Sequence, residues 1–126
     1  MYEVGTSRSF TAWHVMPGME GPEGELHTHD YRLEAIVTRA ELDDQGMVCD
    51  LDVLEAAVAD AVAHVADKDL EIIRPPDAHA VTVEVFARWA HATIAAAIAS
   101  SGADHLAIRM WENPIAFGGY GGSLAP

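Results

Sequence analysis

The residues of this chain that could do chemistry gather in one stretch, Glu25-Leu26-His27-Thr28-His29-Asp30-Tyr31, and in one upstream histidine, His14. Successive side chains of an extended segment point to opposite sides, so His27 and His29, two positions apart, project from the same face. His14 lies on an earlier run of strand character. Three neutral imidazoles that leave a fourth coordination position open are the donor set of a catalytic zinc ion. Zinc held this way acts as a Lewis acid that lowers hydroxyl pKa values and stabilises an enediolate beside a carbonyl.

The elements that must position these histidines can be read from hydrophobic periodicity. From Tyr2 to Met16 the chain favours a strand, with Phe10, Ala12, His14 and Met16 on one face and Ser9, Thr11, Trp13 and Val15 on the other. The run Pro17 to Gly24 is dense in glycine and proline and marks a loop. A second strand is expected from Leu26 to Leu42, and the two should pair antiparallel. Asp43-Asp44-Gln45-Gly46 reads as a turn. Asp50 or Asp52 can cap a helix to about Val65, with a buried stripe of Val53, Leu54, Ala57, Val58, Ala61, Val62 and Val65. After Pro75-Pro76 a second helix is expected from about Thr82 to Ser100, burying Val83, Phe86, Ala90, Ile94, Ala97 and Ile98. A third strand, His105 to Trp111, and a short fourth near Phe117 to Tyr120 complete the order β-β-α-α-β-β. This is an α+β fold with two helices on one face of an antiparallel sheet.

Composition narrows the partners. The 126 residues suit a single domain spanning 1–126. With 20 acidic and 7 basic residues the net charge is -13, which repels nucleic acid and anionic membrane surfaces. No apolar run is long enough to span a bilayer. Met1-Tyr2-Glu3-Val4 has no signal-peptide character. Cys49 has no second cysteine to pair with, which fits a reducing, cytoplasmic setting. A small-molecule substrate is the partner that remains.

Several pieces, taken together, resemble the family of 6-pyruvoyl-tetrahydropterin synthase and 6-carboxy-tetrahydropterin synthase. They are Phe10-x-Ala12-x-His14, His27-Thr28-His29, Gly46-Met47-Val48-x-Asp50, Thr82-x-Glu84 and Trp111-Glu112, in the family's order and across nearly the whole chain. The resemblance implies a tunnelling fold, in which a trimer closes three sheets into a barrel and two trimers stack into a hexamer. It implies zinc on His14, His27 and His29 and a substrate pocket between subunits. Glu112 would anchor the ring of a pterin-like substrate, with Thr82 and Glu84 as further substrate contacts. An open sheet in so small a protomer leaves edges that favour a homo-oligomer in any case.

The departures concern the acid–base groups. Where the family usually has a proton-abstracting cysteine, four residues before the His-x-His pair, this chain has Glu23, and some relatives also carry glutamate there. The family's Asp-His relay pair aligns with Ala66 and Asp67, and the glycine between the paired histidines is Thr28. Proton transfer beside a carbonyl needs a base and an acid; Glu23 is the candidate base and Asp67 a candidate second catalytic group. Asp30 could accept a ring N–H from a ligand histidine. The expected function is therefore a zinc-dependent lyase or cyclase of the pterin-synthase type. The scattered basic residues suit dihydroneopterin triphosphate poorly, so one alternative is a repurposed zinc-dependent cyclase, aldolase or lyase on a neutral non-pterin substrate in specialised metabolism. A second is a non-catalytic ligand-binding module.

Overall fold

A computed structural model of the chain describes residues 1–124. Its elements are β1 (Tyr2–His14), β2 (His27–Arg39), α1 (Leu51–Val65), α2 (Val83–Ala97), β3 (His105–Asn113) and β4 (Ala116–Ser123). The strands form one antiparallel sheet in the order β1-β2-β3-β4. Both helices pack on the same face, α1 over β1 and α2 over β3 and β4. The expected β-β-α-α-β-β order and the α+β class are those observed.

Alternation explains the layering. On the helix-covered face β2 contributes Tyr31, Leu33, Ala35 and Val37, and β3 contributes Leu106, Ile108 and Met110, all buried. Facing them are Leu54, Val58 and Val65 of α1 and Phe86, Ala90 and Ile94 of α2. Each large apolar side chain buried this way contributes about 1.5–3 kcal/mol of transfer free energy. The opposite face is polar. There Glu34 accepts a hydrogen bond from Trp111 Nε1 at 3.3 Å and pairs with Arg109 at 3.5 Å, while the Arg32 guanidinium lies 4.7 Å from the Trp111 ring centroid.

Caps set the helix starts. Asp50 accepts from the backbone N–H of Asp52 at 2.9 Å, so Asp50 is the cap of α1. The Thr82 hydroxyl accepts from Val85 N–H at 3.1 Å at the start of α2. Several expected boundaries shift. Strand β1 ends at His14 rather than Met16, because Met16 turns its N–H to the Glu23 carbonyl at 2.8 Å instead of continuing the ladder. Strand β2 runs His27–Arg39 rather than Leu26 to Leu42, and α2 stops at Ala97 rather than Ser100. Val53 and Ala97, expected in the buried stripes, are exposed: Val53 lies in the first turn of α1 and Ala97 is the last residue of α2, and the two line one shallow pocket between these helix ends. Two 3-10 turns, Pro22–Gly24 and Leu70–Ile73, were not anticipated.

Candidate metal centre and active site

The antiparallel register brings the three histidines together. His14 lies directly opposite His27, and Ala12 opposite His29. Residues opposed across an antiparallel pair share a face, as do residues two apart on one strand. All three imidazoles therefore project from the face that the helices cover further along, at its open end. Their ring centroids are 4.7 to 6.0 Å apart. One ligating nitrogen from each lies within 4.8 Å of the others.

Burial and hydrogen bonding set the protonation states. His14 is 7% exposed, and neither ring nitrogen has a hydrogen-bond partner among the described residues. Burial, together with the neighbouring His27, holds its pKa below the ordinary 6.5, although the backbone of Val81 beside the ring opposes the shift. His14 is thus neutral at neutral pH, as a metal ligand must be. His27 donates from Nδ1 to the Glu25 carbonyl at 2.7 Å, which leaves Nε2 to face His29 Nε2 at 2.9 Å. A backbone carbonyl on the far nitrogen is the arrangement that fixes tautomer and ring orientation in metal-ligating histidines. Buried imidazole nitrogens without partners are costly unless something else satisfies them. The donor set, its spacing and its unsatisfied nitrogens all fit zinc.

Glu23 stands beside this cluster. Its Oε2 lies 3.5 Å from His27 Nε2, and its side chain is about half exposed. The loop is folded to hold it there: Pro22–Gly24 forms a tight turn, and Met16 N–H donates to the Glu23 carbonyl. Gly24 is required by this path, because a Cβ there would collide with the Met19 carbonyl.

Beyond the end of β3 a cleft of about 530 Å³ is lined by His29, Tyr31, Arg32, Trp111 and Glu112, among others. It opens where the edge of β2 outruns its partner, since pairing with β3 begins only at Arg32. Glu112 is half-buried at the irregularity between Trp111 and Asn113. It faces the same space as Tyr31, whose ring packs 5.6 Å from that of His29. Burial, reinforced by the charges of Glu112 and Glu23, pushes the Tyr31 hydroxyl well above its ordinary range, so it stays protonated. Tyr31 reads from sequence as a core or interface residue. It is core at 2% exposure and also lines the cleft; the available signal was its place two residues past His29 on the same face.

The other sequence candidates lie apart from this cluster. Asp67 is exposed, with φ 61°, and its N–H donates to the Thr11 carbonyl at 2.7 Å. It sits on the edge of β1 away from β2, where Trp13 and Asp69 form an isolated parallel bridge. Thr82 spends its hydroxyl on the α2 cap, and Glu84 is exposed in the first turn, where a carboxylate suits the helix dipole. Neither lines the cleft, although Val81, immediately before Thr82, lies against the His14 ring. Asp30 accepts from the Thr11 hydroxyl at 2.9 Å on the opposite face of the sheet, so it does not orient a ligand histidine.

An antiparallel four-stranded sheet carrying two helices on one face, with a histidine triad at its open end, defines a tunnelling-fold protein. The chain matches the family model for 6-pyruvoyl tetrahydropterin synthase over residues 3–122 and belongs to that family, whose members are lyases. No curated protein matches it. Its fold is similar to 6-pyruvoyl tetrahydropterin synthase from Plasmodium falciparum, with a TM-score of 0.76 at 14% identity over 97% of this chain and 98% of that one. The Caenorhabditis elegans protein gives 0.71 at 23% identity over 98% of both chains. A Plasmodium vivax relative, solved as a mutant with cysteine replacing a catalytic glutamate, gives 0.75 at 12% identity over 97% and 98%.

Proposed function

We propose that this protein is a zinc-dependent lyase or cyclase of the 6-pyruvoyl-tetrahydropterin synthase type, with His14, His27 and His29 as the metal ligands. The observation that carries this reading is the convergence of three imidazoles, one of them buried with both nitrogens unpartnered. Zinc bound there supplies Lewis-acid stabilisation of substrate oxygens next to the reacting carbon. Glu23 is the base: its carboxylate reaches the triad from a loop held by backbone hydrogen bonds, and a Plasmodium vivax relative has a glutamate as its catalytic residue. Glu112 accepts N–H groups of the substrate ring from within the cleft and fixes its orientation relative to His29. Tyr31, kept protonated, closes the floor behind it.

Asp67, on the β1 edge, acts as the second proton-transfer group in a pocket completed by a second copy of the chain. Thr82 and Glu84 contribute to the substrate contacts of the assembled pocket. A homo-oligomer, trimer or hexamer, is supported by the two outer strands of the sheet, β4 and the part of β1 before Thr11, whose outer edges could pair with further copies; from Thr11 to Trp13 the β1 edge is already taken by the 67–69 segment.

The test is turnover. Zinc-loaded protein incubated with dihydroneopterin triphosphate is expected to remove or rearrange the substrate side chain. Glu23→Gln should lower kcat by about 10²–10⁴-fold, the range for loss of a positioned general base. Absence of turnover by the zinc-loaded oligomer, or an unaltered kcat in the variant, overturns the assignment.

A further inference from the structure

The surroundings of Glu23 suit more than proton abstraction. His27 commits its Nδ1–H to the Glu25 carbonyl at 2.7 Å, so a neutral His27 presents a lone pair at Nε2. That atom faces His29 Nε2 at 2.9 Å and Glu23 Oε2 at 3.5 Å. The unpartnered nitrogens of His14 border the same space. The His27 and His29 rings can share one N–H as a hydrogen bond, but the Glu23 carboxylate oxygen and the lone pair of His27 Nε2 are poor neighbours unless a cation lies between them. Tetrahedral ligand atoms held about 2.1 Å from a zinc ion are about 3.4 Å apart. The separation of Glu23 Oε2 from His27 Nε2, 3.5 Å, is already of that size. Glu23 contacts the triad through His27 and stands outside the mutual 4.8 Å set of ring nitrogens. A turn of its own half-exposed side chain brings the carboxylate over the centre while the backbone stays tied through the Glu23 carbonyl to Met16.

We propose that Glu23 is a displaceable fourth ligand of the ion held by His14, His27 and His29: it closes the site at rest and leaves when substrate oxygens arrive. The inference rests on the zinc reading above and adds a second duty to the base. While it ligates, the carboxylate is occupied and the metal is shielded from adventitious ligands. Once displaced, the same carboxylate is freed beside the substrate carbon, so the act of binding substrate releases the base.

The experiment reads metal binding rather than turnover. Zinc affinity is measured by chelator competition on the full chain, and the visible absorption of the cobalt(II)-loaded protein is recorded, for wild type, Glu23→Gln, Glu20→Gln and His27→Ala. Glu20 is an exposed acid of the same loop, so its variant removes an equal charge without removing a ligand. Glu23→Gln is expected to weaken zinc binding by about tenfold or more, the lower end of the effect of losing even a supporting partner. It should also alter the cobalt spectrum, whereas Glu20→Gln leaves both near wild type. Equal affinity and an unchanged spectrum in Glu23→Gln overturn the fourth-ligand role while leaving the triad intact. Equal weakening by Glu20→Gln overturns it too, because charge alone then accounts for the effect. An unchanged zinc affinity in His27→Ala brings down the zinc reading itself, and the fourth-ligand role with it.

Discussion

The β1–β2 ladder has two ends that obey one alternation and do different work. Toward Arg39, the helix-covered face of β2 carries Leu33, Ala35 and Val37, each 0% exposed beneath the helices. Toward His27, the same face carries Tyr31 at 2% exposure, then the half-buried His29 opposite Ala12 and the half-buried His27 opposite His14. Nothing in the backbone changes between the two halves. What changes is the cover: the apolar wall thins, and side chains that would cost energy in a closed core find a space where their nitrogens meet. The site is thus a continuation of the core past the point where the core is complete. One half should be indispensable for folding and the other dispensable for folding but essential for metal.

Substitutions can break that contrast. Leu33→Ala, in the sealed half, should lower unfolding free energy by about 2–5 kcal/mol, the cost of a large-to-small change in a packed core, read as a drop in denaturation midpoint. His14→Leu, in the open half, should abolish high-affinity zinc binding, a loss larger than the roughly 10–100-fold caused by removal of a supporting partner. The metal-free variant should melt at or above the wild-type temperature, because leucine removes buried nitrogens that have no hydrogen-bond partner among the described residues. If His14→Leu unfolds like Leu33→Ala, the histidine end is structural and the contrast fails.

Two smaller effects sharpen it. Thr82→Ala deletes the α2 cap bond to Val85 and should cost about 1 kcal/mol. Zinc affinity should be unchanged, since the cap lies outside the triad. The smallest effect is a pH slope in the metal-free protein. His14 has its pKa depressed below 6.5 in the folded state, so on acidification the unfolded chain takes up the proton first. Stability should therefore fall as pH drops through about 6.5 toward the folded pKa, and level off below it. At higher pH, where both states are neutral, this group adds no slope. Denaturation midpoints between pH 5 and 8 in wild type and His14→Leu would isolate the contribution; identical slopes would show that His14 does not titrate as its burial requires.

Legibility in the sequence differed between these regions for a physical reason. The triad was readable because two-residue spacing and antiparallel pairing are local rules, and the register opposing His14 to His27 is set once the 15–26 loop joins the two strands. Element order was readable from periodicity, and an aspartate cap for α1 from residue type, although Asp50 and Asp52 stood equal until the structure chose Asp50. The exposure of Val53 and Ala97 was not readable, because both fit a helical stripe and only the packing of the start of α1 beside the end of α2 leaves these terminal turns uncovered. Tyr31 illustrates the same limit, since alternation places it on the buried face but cannot say that β3 ends early enough to leave a cleft beside it. Asp67 was a candidate through its alignment with the family's relay pair and Asp30 by residue type, and strand geometry put one on a far edge and the other on the opposite face.

What the chain's own residues determined is the donor set: which side chains could bind a metal, on which face of which strand, and in what order the elements run. Tertiary structure alone decided their state. Burial and the neighbouring His27 keep His14 neutral, the Glu25 carbonyl orients His27, and a folded loop carries Glu23 to within 3.5 Å of it. Periodicity is a property of a single segment. Desolvation, hydrogen-bond commitment and the approach of a distant carboxylate depend on what other segments do, and they exist only once the chain has closed on itself.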